Sequence, residues 1–191
     1  MLYQELFGGK APTTRKNSKA KGNLNERELA AALTEWSGFE FIRTPSSGGR
    51  RLANNPMFIG DIVAGDINAP FPFTVETKHY KAIHLKAVEG GALRVNAAVK
   101  NFWKQAEEDG RRGNKTPTLW VRQNGDKKRN WTVFFPPYAA EALNLEPHTT
   151  FDGIVGVPSA IIFKINYVEF AQVLKDAYLC ANPNPKDPKQ C

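Results

Sequence analysis

The sequence predicts one α/β domain, a central mixed β-sheet with helices on both sides. Segments with strand-like alternation of apolar residues are interleaved along the chain with segments whose apolar residues recur at helical spacing. A chain of 191 residues with 41% hydrophobic residues can bury one sizeable core but is short for two full domains. We therefore expect a single domain over residues 23–180, with a flexible basic arm before it (1–22) and a disordered tail after it (181–191).

Both ends of the chain have compositions that disfavour a packed structure. The N-terminal arm intersperses basic residues with Gly, Ser, Thr and Pro; the basic residues are Lys10, Arg15, Lys16, Lys19 and Lys21. This arm is either a solvated tail or a cationic arm that contacts phosphates. In the tail, prolines at 183, 185 and 188 prevent the last helix from continuing.

The first half of the domain is predicted to alternate helix and strand. A helix should begin at Asn23 or Asn25, either of which can cap it, and should end at Gly38. Strands are predicted at 39–43, 61–65 and 73–80. A Gly/Ser-rich loop, residues 46–51, lies between the first two strands.

The second half continues the same order. A helix from about 97 to 109 should be closed by Gly110, and strands at 116–123 and 130–136 should be joined by a polar turn. The remaining predicted elements are a short helix at 138–145, a strand at 160–165 and a helix at 167–179. Aromatic residues alternating on strands are normally core residues, so we expect this of Trp120, Trp131, Phe134 and Phe135.

Charge and cysteine content restrict the class of protein. Lys and Arg outnumber Asp and Glu by 26 to 19, and the net charge of +7 favours a polyanionic partner such as nucleic acid. The two cysteines, Cys180 and Cys191, fit neither a disulfide framework nor a four-ligand zinc site. No segment has the order of a signal peptide or the length of a membrane span. We expect a cytoplasmic protein, of a bacterial, archaeal or phage-infected cell, with no membrane partner.

Two carboxylates and a lysine form the clearest chemical pattern. Alternate residues of a strand share a face, so Glu76 and Lys78 should project together while Val75 and Thr77 point the opposite way. Asp61 lies 15 positions before Glu76, a separation suited to neighbouring antiparallel strands. Both carboxylates should therefore converge.

Such a pair, with the adjacent backbone carbonyl of Thr77, offers the oxygen ligands that Mg²⁺ prefers, and Mn²⁺ should be able to substitute. This is the chemistry of phosphodiester hydrolysis, in which Lys78, as an ammonium, would stabilise developing charge. The alternative is a solvent-facing ion pair between Glu76 and Lys78. Three other polar residues are interpreted as structural: Asp66 as a turn residue, and His79 and His84 as strand-end surface residues.

With these residues, the chain resembles the PD-(D/E)xK nuclease superfamily, most closely the archaeal-type Holliday junction resolvases. The matching segments, in order, are KGNLNERELAAAL, FEFIRTPSSGG, GDIVA and FTVETKHY, and the resemblance spans residues 21–123. It implies a restriction-endonuclease-like core. Gly60 stands where the motif has its proline, and the connection over 79–96 is longer than is usual in the compact resolvases.

The resemblance also implies roles for individual residues. Glu26 would assist the metal site, Asp61 and Glu76 would bind the metal, and Lys78 would complete the catalytic set. Ser47 would approach the scissile phosphate from its Gly-rich loop. The resemblance makes Gln105 a site-facing residue, the alternative being a plain surface glutamine. Apart from the resemblance, Arg50 and Arg51 directly follow the loop and either could hold a phosphate, and Lys19 and Lys21 of the basic arm could add phosphate contacts.

Three functions agree with these features. The leading hypothesis is a Mg²⁺-dependent, structure-selective endonuclease that cuts branched DNA, a Holliday junction resolvase acting as a homodimer on four-way junctions. The second is a restriction-type or recombination and repair nuclease that cuts linear duplex or single-stranded DNA. The third is a non-catalytic DNA-binding module in which Glu76 and Lys78 merely pair.

Overall fold

The computed structural model describes residues 15–45, 58–81, 84–87, 93–95 and 97–183. Within them, the helices are α1 (Arg15–Ser37), α2 (Ala97–Gly113), α3 (Pro137–Ala142), α4 (Ser159–Ile162) and α5 (Tyr167–Ala181). The strands are β1 (Phe41–Arg43), β2 (Ile62–Ala64), β3 (Phe73–Tyr80), β4 (His84–Ala87), β5 (Leu93–Val95), β6 (Thr116–Gln123), β7 (Thr132–Phe135), β8 (Thr149–Phe151) and β9 (Ile154–Pro158).

Seven of these strands form one mixed sheet in the order β1-β2-β3-β6-β7-β9-β8. The pair β3–β6 is parallel and every other pair in this sheet is antiparallel. A parallel pair needs a crossover connection, and α2 lies in the segment that supplies it. Strands β4 and β5 form a separate antiparallel pair.

Helices cover both faces of the large sheet, as predicted. On one face, α1 and α5 bury Leu29, Leu33 and Phe170 against residues that include Val75 and Trp120. On the other face, α2 buries a second cluster, whose members include Val99, Trp103, Leu119, Val121 and Phe134. The alternation along β6 divides its side chains between the two clusters. All four strand aromatics predicted as core are buried, namely Trp120, Trp131, Phe134 and Phe135.

Helix α1 begins earlier than the sequence predicted. It starts at Arg15, so residues 15–22 of the expected arm are helical, and residues 1–14 lie outside the described part of the chain. Lys, Arg and Ala are good helix formers, and this composition favours a helix even where little is buried. The prediction that Asn23 or Asn25 caps the helix is wrong. Both lie inside it, and the buried Asn25 instead makes tertiary hydrogen bonds.

Two predictions for the second half differ from the structure. The expected strand at 160–165 is wrong, because α4 occupies part of this segment and the strands β8 and β9 precede it. The turn between those strands uses Asp152 and Gly153, both with positive φ. Helix α2 continues past Gly110 to Gly113, and Gly110 packs where a Cβ would lie 2.9 Å from the carbonyl oxygen of Lys115. Strands β3 and β6 match their predicted bounds. No helix in the described ranges is both long and apolar enough to cross a membrane.

Candidate active site

The antiparallel pairing of β2 and β3 brings two carboxylates together. Ile62 pairs with Val75, and the carboxylate of the preceding Asp61 is close enough to Glu76 for its charge to raise the pKa of that acid. The backbone N–H of Asp61 donates to the Val75 carbonyl at 2.7 Å, which fixes this end of the pairing. The predicted convergence of the two residues is confirmed.

The backbone conformation before Asp61, at Gly60, is one that proline cannot adopt. Its φ is +89°, whereas proline is restricted to about −65°. A Cβ at this position would also lie 2.8 Å from the Val75 carbonyl oxygen. The Gly60 carbonyl accepts a hydrogen bond from Thr44 Oγ1 at 2.6 Å, and the Thr44 N–H donates to the Asp61 carbonyl at 2.9 Å. Asp61 is therefore held by the strands on both sides.

The Asp61 side chain is oriented by the backbone of β3. Its Oδ2 accepts a hydrogen bond of 2.9 Å from the N–H of Thr77. In regular antiparallel pairing, a backbone carbonyl would accept a hydrogen bond from the Thr77 N–H. Here the Asp61 carboxylate accepts it instead. This contact leaves Oδ1 of the half-buried carboxylate as the oxygen better placed for another ligand.

Glu76 is a buried acid with too few partners. Its exposed fraction is 1%. One oxygen contacts Nζ of Lys78, and Oε2 makes no hydrogen bond with any residue that the structure describes. Burial raises the pKa of Glu76 to about 8, the charge of Asp61 adds to this effect, and Lys78 opposes it. A cation placed beside this carboxyl group would stabilise its ionised form.

Lys78 projects on the same face as Glu76, as predicted, and Thr77 projects on the other, toward α1. The Lys78 ammonium lies 5.7 Å from the ring centroid of Phe102 in α2. Burial by itself would lower the pKa of Lys78, but the charges of Glu76 and Asp61 outweigh it and raise the pKa. The side chain is therefore a protonated ammonium directed by a carboxylate and an aromatic ring.

Glu26 approaches the same region from α1. Its carboxylate is paired with Arg43 of β1, with 2.5 Å between Oε2 and Nε, and Arg43 also donates to Asn23 at 3.1 Å. The charge of Glu26 is close enough to contribute to the raised pKa of Lys78. Glu26 therefore borders the site but is engaged by an arginine.

The side chains at this site can be compared with the ligands that a divalent metal needs. Among the described residues, no group of three or more His, Cys, Asp or Glu side chains is arranged to hold a metal by itself. Asp61 and Glu76 nevertheless offer oxygen donors only, and the unpartnered Oε2 of Glu76 is the kind of atom that a cation would neutralise. A hard cation that keeps several waters, such as Mg²⁺, needs only one or two protein carboxylates. The residues present fit such an ion.

Comparison with known proteins agrees with this geometry. A family model described as phage putative PDDEXK endonuclease matches residues 17–154. The chain belongs to this family. It is therefore a nuclease of PD-(D/E)xK type, and the matched region includes Glu26, Asp61, Glu76 and Lys78. The mixed sheet flanked by helices is the restriction-endonuclease-like core that the resemblance implied.

A solved structure gives a weaker likeness. A Holliday junction resolvase, Hjc of Archaeoglobus fulgidus, aligns over 78% of this chain and 99% of its own, with 16% identity and a TM-score of 0.36. A structural similarity this weak gives no information about the substrate of the present protein. No curated protein matches the chain significantly.

The structure of this PD-(D/E)xK endonuclease also adds a residue that the sequence reasoning missed. Asp109 of α2 is half-buried and pairs with Arg112 at 3.4 Å. Burial raises its pKa, Arg112 opposes this effect, and Asp61 adds to it, so Asp109 contributes a further carboxylate near the site. Its helical spacing could have revealed it, because it lies seven residues after Phe102 on the face that packs toward β3. Gln105 is exposed between these two positions.

The remaining predicted DNA contacts divide into two groups. Ser47, Arg50 and Arg51 lie outside the described residues. Lys19 and Lys21 are exposed on the first turns of α1, so their charges are available to a phosphate backbone.

The structure also describes the side chains of two of the three polar residues that were interpreted as structural, His79 and Asp66. His79 is half-buried, and burial, Arg122 and Lys21 lower its pKa, which places Lys21 near the end of β3. Asp66 is a turn residue as predicted, since its Oδ1 accepts from the N–H of Asn68 at 2.8 Å. The His84 side chain lies outside the described part.

Proposed function

We propose that the protein is a metal-dependent endonuclease that hydrolyses phosphodiester bonds in branched DNA, with four-way junctions as its substrate. The observation that carries the proposal is the buried carboxyl group of Glu76, which lies near Asp61 and contacts Lys78 but has no hydrogen-bond partner for Oε2 among the described residues. An ion pair that served only the surface would not bury its carboxylate in this way.

Asp61 and Glu76 would hold the metal, with Mg²⁺ as the ion and Mn²⁺ able to substitute. The Thr77 carbonyl is suited to join them, because the N–H and C=O of a strand residue point to the same side, and its N–H faces Asp61. When bound, a divalent cation supplies Lewis-acid activation of water and neutralises charge on the reacting phosphate. Glu26 would act from the border of the site, where it holds Arg43 in place.

Lys78 would stabilise negative charge that develops on the phosphate. Its raised pKa keeps it protonated at neutral pH, which suits this role better than accepting a proton. Glu76 and the Phe102 ring restrict where the ammonium lies, so little reorganisation is needed when the charge appears.

DNA would be held around this centre by cationic and polar groups. Lys19 and Lys21 are exposed on α1, Gln105 is exposed on α2, and Ser47, Arg50 and Arg51 would complete the contacts from their loop. A homodimer would present two such sites to two strands of a junction related by a two-fold axis. The support for branched DNA is the ordered resemblance of residues 21–123 to the junction resolvases.

The test uses a four-way junction, a flap, a linear duplex and a single strand, each with Mg²⁺ or EDTA. We expect symmetric nicks near the junction centre that disappear with EDTA and in Glu76→Ala and Lys78→Ala. Asp66→Asn, which changes a turn carboxylate away from the site, is the matched control and should cut normally. Equal cutting of the linear duplex would replace the junction proposal with the linear-DNA nuclease. Lack of cutting on every substrate with either Mg²⁺ or Mn²⁺ would overturn the nuclease mechanism.

A further inference from the structure

A buried asparagine joins α1 to the strand that carries Glu76 and Lys78. Asn25 is 1% exposed, yet both ends of its side-chain amide are satisfied. Nδ2 donates to Thr77 Oγ1 at 2.8 Å, and Oδ1 accepts from Trp131 Nε1 at 2.9 Å. Its partners lie 52 and 106 residues away in sequence, so this amide connects three distant parts of the chain.

The hydrogen-bond path continues from Asn25 to the site. The Thr77 hydroxyl donates to the Trp120 carbonyl at 3.0 Å, which leaves its lone pair to accept from Asn25. The N–H of the same Thr77 donates to Asp61 Oδ2 at 2.9 Å. Thr77 is thus fixed through its side chain on the α1 face and through its backbone at the Asp61 carboxylate.

We propose that Asn25 is a positioning residue of the active site. It fixes Thr77 so that its N–H orients Asp61, and it ties the helix that carries Glu26 to the strand that carries Glu76. This proposal deepens the proposed function and rests on it for the role of Asp61. Mutation of a residue that orients a metal ligand through hydrogen bonds commonly lowers metal affinity or activity by about 10- to 100-fold.

The side chain required at this position must both donate and accept. Leucine has a similar size but would leave the Trp131 N–H without its acceptor and would remove the donor to Thr77 Oγ1, whose own bond to the Trp120 carbonyl would remain. The network therefore requires an amide here, whereas a helix interior in general disfavours asparagine.

The experiment compares Asn25→Leu with Trp36→Phe. Trp36 lies on the same helix and donates from Nε1 to the Ile165 carbonyl at 2.8 Å, remote from Thr77. Both substitutions remove long-range hydrogen bonds of α1, but only Asn25→Leu acts on the path to Asp61. Trp36→Phe is therefore the control for loss of stability alone.

The first measurement is hydrogen exchange of the Thr77 amide by NMR, without metal or DNA. We expect Asn25→Leu to speed this exchange at least tenfold relative to other β3 amides, and Trp36→Phe to change all β3 amides alike. The second is Mg²⁺ affinity by calorimetry, which should fall about 10-fold or more in Asn25→Leu and little in Trp36→Phe. The third is cleavage, where kcat should fall while KM for DNA stays within about twofold.

Thr77→Val provides a second route if Asn25→Leu does not fold. It removes the hydroxyl but keeps the backbone N–H, and should weaken Mg²⁺ binding in the same way. Equal behaviour of the two α1 variants in Thr77 exchange and Mg²⁺ affinity would overturn the positioning role. If the wild-type protein cuts no DNA but Thr77 exchange responds as expected, the proposed function fails while the structural coupling stands.

Discussion

Gly60 lies so close to Val75 that a Cβ at position 60 would come within 2.8 Å of the Val75 carbonyl oxygen. Together with the φ of +89°, this contact makes position 60 specific for glycine. Replacing Gly60 by proline would restore the family's motif but should lower the free energy of unfolding by at least about 3 kcal/mol, because φ must change and Asp61 must move.

Urea unfolding measures this effect, and Gly38→Ala is the matched control. Gly38 has φ +76°, but a Cβ there would meet nothing within 4 Å. Gly38→Ala should lower the free energy of unfolding by only about 1 kcal/mol, because only the backbone conformation is unfavourable for alanine. A Gly60→Pro variant as stable as Gly38→Ala would contradict the close approach at Val75.

Glu76 should make the metal-free protein less stable as the pH rises. Its folded pKa is raised to about 8 from an ordinary value of 4.5, so between these values the folded state binds more protons than the unfolded state. The stabilising contribution of the protonated acid is complete below about pH 4.5 and is lost as the pH rises toward 8. Glu76→Gln cannot ionise and should remove this dependence.

Denaturant titrations at pH 5 and pH 8 in EDTA would check this prediction. Glu76→Gln should resemble the wild type at pH 5 and exceed its free energy of unfolding by on the order of 2 to 4 kcal/mol at pH 8. The loss of the Lys78 contact limits the gain. If the difference between the variants is the same at both pH values, Glu76 does not titrate in this range.

Divalent metal should bind in competition with the proton on Glu76. Mg²⁺ needs the ionised carboxylate, so its affinity should rise about tenfold per pH unit below 8 and level off above it. Calorimetry between pH 6 and pH 9 measures the slope. Mg²⁺ should also raise Tm at pH 8, EDTA should reverse this, and Glu76→Gln should show neither effect.

Lys78→Met should separate charge stabilisation from DNA binding. Removing the ammonium should lower kcat by about 10²- to 10³-fold, because a single group that stabilises transition-state charge contributes roughly this factor. KM should stay nearly constant, since the lysine is directed at Glu76 and Phe102 rather than outward. Single-turnover cleavage provides the measurement.

Lys100→Met is the control for Lys78→Met. Lys100 pairs with Asp152 on the exposed surface, and its loss should leave kcat unchanged. A Lys78→Met protein that cuts within threefold of the wild-type rate would exclude an essential role for the ammonium.

The sequence predicted the relative placement of Glu76 and Lys78 correctly, because local periodicity decides it. Period-two alternation places Glu76 and Lys78 on one face of β3, and the separation of Asp61 from Glu76 suits an antiparallel pair. The position of Asp109 depends on how α2 packs across β3, which alternation within one strand does not reveal.

Asn25 shows the limit of local rules most clearly. Its side chain is favoured at helix starts, and this preference predicted a cap. In the structure Asn25 lies inside the helix, and its amide bonds to Thr77 and Trp131, which are far away in sequence. Strand β9 was missed because the apolar run after residue 153 contains both this strand and the short helix α4.

The parallel pairing of β3 with β6 has a consequence for how the surroundings of Glu76 and Lys78 form. Glu76 and Lys78 belong to a strand whose neighbour β6 begins at Thr116, and the Asn25 amide is completed only by Trp131. A nascent chain that has not yet exposed residue 131 cannot assemble this environment. The surroundings of Glu76 and Lys78 therefore depend on contacts of long sequence separation, which make folding slower.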